Sequence, residues 1–121
     1  MKYKDIQVKV DGHIATLLLD RPEKRNALSL NTLGEMIHAL EDLATHQEVR
    51  VVVLRGNGPM FSAGHDLHEL ADGDLKAYRK IFATCMKMML LLSEIPQPVI
   101  AAVHGIATAV FLQKRDPVWP E

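Results

Sequence analysis

The chain has 121 residues, of which 48% are hydrophobic and 24% are charged, and its formal net charge is −1. This length suits one domain and is short for two. Because the charge is balanced, the composition gives no reason to expect nucleic acid or an anionic membrane surface as a partner.

The cysteine count and the apolar runs bear on the compartment. Cys85 is the only cysteine, and a single cysteine cannot form an internal disulfide, which favours a reducing environment. No apolar run reaches the roughly 20 residues of a membrane span. Residues 1–5 show no leader pattern. We therefore expect a cytoplasmic protein with no membrane contact; a location in the mitochondrial matrix would require that a leader had been removed.

An antiparallel hairpin is predicted at the start of the chain. Ile6, Val8 and Val10 alternate with polar residues, which is the period of a half-buried strand. Asp11-Gly12 is a strong hairpin turn pattern, and the apolar residues 14–19 follow it as the partner strand.

A first amphipathic helix is predicted after a polar loop. Ser29 is a suitable N-cap, and apolar residues recur every three or four positions from Leu30 to Ala44. Gly34 interrupts this helix at a cost of up to about 1 kcal/mol relative to alanine. We therefore expect Gly34 to mark a close packing contact.

The remaining pattern predicts a strand, a long helix and a second strand. Residues 51–54 are apolar without alternation, which indicates a parallel strand covered on both faces. Residues 72–74 are predicted to cap a helix that runs from Leu75 beyond Leu92, and residues 99–103 form another buried strand. The fold class is therefore α/β with a partly parallel sheet.

The stretch between the first buried strand and the long helix has the pattern of an anion site. A glycine-rich turn at 55–59 leads to small residues at 61–66, and residues 67–70 are predicted to form a short helix. Glycine allows such a loop to aim its backbone N–H groups, and a helix N-terminus favours negative charge.

Other interpretations of these residues carry less support. His65 and His68 can share one side of a helix, but three metal ligands are not evident, so no metal site is predicted. Ser62 lacks the G-x-S-x-G pattern of a nucleophile. Taken alone, Lys24 and Arg25 are best interpreted as solvated loop residues.

Three blocks together resemble the enoyl-CoA hydratase/isomerase (crotonase) superfamily. They run from Leu19 to Ser29, from Val52 to Leu67 and from Pro98 to Ala109. Within the superfamily, residues 62–67 (SAGHDL) are similar to the group of enoyl-CoA hydratase domain-containing protein 3. The resemblance implies a crotonase-like ββα spiral, truncated here to the hairpin followed by helix, strand, helix and strand.

The resemblance also implies a site for an acyl-CoA thioester, with the coenzyme A as part of the substrate and no tightly bound cofactor. In this family the thioester carbonyl oxygen lies between two backbone N–H donors, and by motif match His65 would supply the first through its backbone. The resemblance also implies contacts with coenzyme A at Gly64, at Ala63, Asp66 and Leu67 against the adenine end, and at Lys24, Arg25, Ala27 and Leu28 at the entry for the nucleotide phosphates.

The chain departs from the family pattern after Ala109. Val110 falls on the position of the second donor, and Gln113 falls where hydratases carry a catalytic carboxylate. A neutral amide cannot act as a general base. Hydratase-like lyase activity is therefore left open, and we expect it to be impaired.

The tail suggests an explanation for these departures. Residues 1–109 resemble the first part of a crotonase-like domain, whereas residues 110–121 resemble the C-terminus of family members. An internal deletion would produce this arrangement and would disturb or abolish the trimer that the family usually forms. The alternatives to an impaired enzyme are a non-catalytic fragment that binds coenzyme A or another protein, and a truncated product without its own function.

Overall fold

The computed structural model describes residues 2–104, which contain one four-stranded sheet in the order β1-β2-β3-β4. Strands β1 (Ile6–Asp11) and β2 (Ile14–Leu19) form an antiparallel hairpin. Strand β3 (Val51–Gly56) pairs parallel to β2, and β4 (Val99–Ala101) pairs parallel to β3. The predicted hairpin and the partly parallel α/β sheet are confirmed. The assignments at Val110 and Gln113 and the division at residue 109 lie outside the described residues.

Three helices connect the strands: α1 (Leu30–Ala44), α2 (Leu67–Asp72) and α3 (Leu75–Glu94). The first N–H groups of a helix have no partner within it, so side chains cap them. Ser29 Oγ accepts from Thr32 N at 3.1 Å and Asp74 Oδ1 accepts from Ala77 N at 2.9 Å. Both caps were predicted. None of the described helices is long and apolar enough to cross a membrane.

The hydrophobic core lies on one face of the sheet. Parallel pairing places Ala15 beside Val52 and Leu17 beside Leu54, and all of these residues are buried. A fully buried leucine stabilises the fold by about 1.5–3 kcal/mol relative to an exposed one. The helices complete the same core with Leu33, Met36 and Leu40 from α1, and Cys85, Met88 and Leu92 from α3.

The prediction that the parallel strands are covered on both faces is wrong for the described part of the chain. Val51 and Val53 in β3 are only half-buried, and Ile100 in β4 is 55% exposed. The reason is that α1 and α3 both contribute to the single core that contains Val52 and Leu54. A continuous apolar run therefore does not by itself show that a strand is covered on both sides.

Gly34 does not mark a close packing contact, so that prediction is also wrong. A Cβ added at Gly34 meets no atom within 4 Å, and the residue is exposed on α1. The glycine in this helix only adds conformational freedom to the unfolded chain.

Substitution Gly34→Ala is expected to raise the free energy of unfolding by about 0.5–1 kcal/mol, because the helix gains propensity and no atom obstructs the methyl group. Urea denaturation monitored by circular dichroism measures the change. Gly56→Ala is the matched control and should destabilise the fold, because its Cβ would clash with the Phe61 carbonyl. A lower urea midpoint for Gly34→Ala would contradict the assignment of open space at this position.

Candidate functional site

The connection between β2 and α1 makes an unusual turn that brings Asn26 into the interior. Pro22–Lys24 forms one turn of 3-10 helix, after which Arg25 and Asn26 adopt φ values of 56° and 53°. Such left-handed conformations are uncommon for residues other than glycine, and asparagine tolerates them better than most. Asn26 is only 2% exposed, so its side-chain amide needs partners inside the protein.

Those partners are the backbone carbonyls of the loop that follows β3. Asn26 Nδ2 donates to the oxygens of Asn57, Met60 and Phe61 at 2.8, 3.0 and 3.1 Å. Its Oδ1 accepts from Arg21 N at 2.8 Å. Asn26 therefore joins the two loops that form the site. Sequence analysis missed this role, although an asparagine in a polar loop directly before Ala27 and Leu28 was a possible sign of it.

A short backbone pairing holds the next part of the loop and leaves one N–H donor without a partner among the described residues. Leu28 N donates to Gly64 O at 2.6 Å, and Asp66 N donates to Leu28 O at 3.3 Å. In this parallel bridge between Leu28 and His65, the N–H and C=O of His65 itself point away from Leu28. Within residues 2–104 no hydrogen bond uses the His65 N–H. The positive φ of 86° at Gly64 allows the turn that produces this orientation.

A pocket of about 410 Å³ lies beside this donor. Seven of the nine residues that the sequence assigned to the site line it, and Glu23 and His68, which the sequence analysis did not include, line it too. Leu28 and Gly64 lie beneath it instead: both are buried, and they act through their paired backbone groups. The residues shared by the pocket and the sequence assignment are Lys24, Arg25, Ala27, Ala63, His65, Asp66 and Leu67.

Charged side chains surround the pocket and also stabilise its walls. Lys24 and Arg25 are exposed at its rim. Asp66 Oδ1 caps α2 by accepting from the N–H groups of His68 and Glu69, while its Oδ2 lies 3.9 Å from Arg21 Nη1. The Asp66 carboxylate therefore has partners already, which ties the start of α2 to the loop after β2.

The start of α2 is also tied to α1. Glu69 Oε1 accepts from Leu30 N at 2.8 Å, so a carboxylate from α2 satisfies one of the unpaired first-turn donors of α1. This contact joins the helix that begins after Asp66, and with it one wall of the pocket, to the start of α1.

The imidazole of His65 packs against α3 and is partly desolvated. Its ring lies 5.0 Å from the ring of Phe82 in an edge-to-face arrangement. Its Nδ1 is buried and has no partner among the described residues. Burial lowers the pKa of His65 below its ordinary value of 6.5. The ring of His65 thus packs on Phe82, while its backbone N–H points away from Leu28.

Two other interpretations of this stretch find no support in the described residues. Ser62 is buried, donates its hydroxyl to Asn26 O at 2.9 Å and accepts from Gly64 N at 3.1 Å, so it serves the loop structure. Among residues 2–104 no group of three histidine, cysteine or acidic side chains could hold a metal ion.

The fold and the loop are shared with known proteins. The sequence model of the family "Enoyl-CoA hydratase/isomerase" matches residues 9–113. A Danio rerio relative, enoyl-CoA hydratase domain-containing protein 3, mitochondrial, is 40% identical over 103 residues, which cover 84% of this chain and 36% of the relative. The crystal structure of the human protein of that name superposes with a TM-score of 0.85 at 34% identity, covering 91% of this chain and 44% of that structure. A Mycobacterium smegmatis enoyl-CoA hydratase superposes with a TM-score of 0.84 at 44% identity, covering 88% and 42%.

The sheet, the helices and the loop around His65 thus define an α/β protein with a crotonase-like fold. The chain belongs to the enoyl-CoA hydratase/isomerase family, as its motifs predicted, and it resembles the domain-containing protein 3 group within it. It spans about a third of the length of the curated relatives that it matches.

The lowered pKa of His65 predicts how stability depends on pH. Above the ordinary value of 6.5, both the folded and the unfolded chain hold this group neutral, so its contribution to stability is constant. As the pH falls through 6.5, the unfolded chain takes up a proton before the folded chain does, and stability decreases until the pH passes the folded pKa. Urea midpoints measured from about pH 7.5 to about pH 5.5 should fall less steeply for His65→Gln than for the wild type. Parallel pH profiles would show that the imidazole is not desolvated.

Proposed function

We propose that this chain binds an acyl-CoA thioester in the pocket beside the loop at residues 63–68, with the His65 backbone N–H donating a hydrogen bond to the thioester carbonyl oxygen. The observation that carries the proposal is the His65 N–H, which has no partner among the described residues and is oriented by the backbone pairing of Leu28, in a chain of the enoyl-CoA hydratase/isomerase family. The predicted site residues otherwise rest on the motif match and on their shared pocket.

The proposed hydrogen bond has a clear chemical purpose. Reactions beside a thioester build negative charge on its carbonyl oxygen, and a donor fixed in advance stabilises that charge by several kcal/mol. Here the bonds of Leu28 with Gly64 and Asp66 fix the backbone on both sides of His65 before any ligand arrives. The donor would therefore not need to reorganise on binding.

The rest of the pocket suits the remainder of such a ligand. Lys24 and Arg25 place two cations at the rim, where they would attract the phosphates of coenzyme A. Ala63 and Leu67 offer small and apolar surface for the adenine. We propose coenzyme A as part of the substrate and not as a resident cofactor.

We propose that hydration is impaired in this form of the chain. The reaction needs a second donor and a general acid–base pair, whereas Val110 and Gln113 occupy the matching positions in the sequence. Two carboxylates line the described pocket, those of Glu23 and Asp66, and that of Asp66 already accepts from His68 N and Glu69 N and lies near Arg21. Binding requires fewer groups than turnover, because one hydrogen-bond donor and two cations suffice for it.

A non-catalytic role in association is the second candidate. Phe82, Met86 and Leu90 follow one another at intervals of four residues on α3 and are 50%, 60% and 51% exposed. An exposed apolar stripe on a helix favours contact with another protein surface, which would also disturb the trimer expected from the family. Sedimentation of the wild type and Met86→Glu tests this candidate: only the wild type should self-associate.

The compartment stays a prediction. The relatives from Danio rerio and Homo sapiens carry the word mitochondrial in their names, whereas the sequence of this chain favoured a cytoplasmic location. Fluorescence microscopy of the tagged chain against a mitochondrial marker decides between the two.

Titration calorimetry with acetyl-CoA tests the binding proposal. Gly64→Ala should weaken binding by at least about tenfold, because a Cβ strains the φ of 86° that orients the His65 N–H. Gly12→Ala is the matched control: it puts similar strain at φ 61° in the hairpin turn, far along the chain from the loop, and should leave the affinity unchanged. Absence of heat at millimolar acetyl-CoA with the wild type would remove the proposal.

Crotonyl-CoA hydration, followed by loss of the enoyl absorbance, tests the proposed impairment. We expect no turnover above the rate without protein. Turnover by the wild type that Gly64→Ala abolishes would show instead that this form of the chain is an active hydratase.

A further inference from the structure

We infer that Asn26 is the positioning residue for the His65 N–H, holding the loop after β3 so that this donor faces the pocket. The inference rests on the proposed function, and it adds a role for a side chain that does not line the pocket. Its support is a set of hydrogen bonds that connects Asn57 and residues 60–64 to residues 25–28.

The first part of that set uses the Asn26 amide itself. Its two N–H groups are shared among the carbonyls of Asn57, Met60 and Phe61, so its capacity to donate is fully used. These carbonyls span the turn that leads from β3 into the loop. Because Asn26 is 2% exposed, water cannot replace the amide if it is removed.

The second part of this set of hydrogen bonds involves residues 62–64, which lie directly before His65. Ser62 Oγ donates to Asn26 O at 2.9 Å and accepts from Gly64 N at 3.1 Å, while Ala63 N donates to the neighbouring Arg25 O at 3.0 Å. With Gly64 O accepting from Leu28 N at 2.6 Å, each residue from Phe61 to Gly64 is bonded to residues 25–28. The N–H of His65 is not part of this set and has no partner within residues 2–104.

Substitution Asn26→Asp tests the positioning role of the amide, because it removes the N–H donor while keeping the size of the side chain. Aspartate has nearly the same shape, tolerates the left-handed backbone and keeps an oxygen for Arg21 N. It replaces the amide donor by a carboxylate oxygen facing three carbonyl oxygens, which should push the loop away. Val52→Ala is the control, because it lowers stability in the centre of the sheet, where Val52 is 0% exposed, without touching the loop.

The experiment measures the infrared frequency of an isotope-labelled thioester carbonyl in acetyl-CoA bound to the 121-residue chain. A hydrogen bond from His65 N–H should lower this frequency in the wild type and in Val52→Ala. In Asn26→Asp the shift should disappear and the dissociation constant should rise by at least about tenfold. Retention of the shift in Asn26→Asp, or its equal loss in Val52→Ala, would overturn the inference.

Two further measurements test the inference if Asn26→Asp does not fold or if the wild type shows no shift of the carbonyl frequency. If Asn26→Asp does not fold, Ser62→Ala breaks the connection from Asn26 O to Gly64 N while keeping the amide bonds, and it should also lose the carbonyl shift; an unchanged shift would overturn the inference. If the wild type shows no shift at all, the proposed function fails by itself. In that event amide hydrogen exchange of the ligand-free chain decides: Ala63 N–H and Gly64 N–H should exchange faster in Asn26→Asp than in Val52→Ala, and equal rates would contradict the role of Asn26.

Discussion

A buried amide that must satisfy its donors inside the protein is the constraint on which the site depends. Asn26 lies in a left-handed turn before α1, yet its Nδ2 bonds to carbonyls up to 35 residues away in the chain. An unpaired buried amide would cost about 1–3 kcal/mol, so the loop after β3 and the loop after β2 have to keep one relative position. The pocket lies where these two loops meet.

The same arrangement explains why a backbone group, and not a side chain, is the polar feature of His65. The pairing of Leu28 with Gly64 and Asp66 uses the backbone on either side of His65, and parallel geometry turns the N–H of His65 the other way. Its imidazole packs on Phe82, and burial lowers its pKa. The pairing of Leu28 therefore orients the His65 N–H, which has no partner among the described residues, in a pocket that the exposed Lys24 and Arg25 also line.

Membership of the enoyl-CoA hydratase/isomerase family and the geometry around His65 support the same proposed function in a chain that is much shorter than its relatives. The chain covers about a third of its curated relatives, and the described part includes one face of a packed sheet, while Ile100 and the α3 stripe at Phe82, Met86 and Leu90 are about half exposed. Such a chain has the features needed for a ligand contact and also apolar surface that favours association. The proposed binding of acyl-CoA and the second candidate, association, draw on neighbouring surfaces, because Phe82 of the stripe also packs on the ring of His65.

The sequence by itself determined the local elements and the family. Alternation at Ile6 to Val10, the cap at Ser29 and the helical spacing of α1 and α3 report short-range preferences. The family motifs at residues 19–29 and 52–67 together identified seven of the nine residues that line the pocket. Only the tertiary structure decided that one face of the sheet is covered, that Gly34 meets open space, that Leu28 lies beneath the pocket and that Asn26 joins the two loops. The physical reason is the distance along the chain over which each property is set. The local sequence pattern reports how residues close in sequence prefer to be buried. Hydrogen bonds and packing between distant segments depend on how the whole chain folds.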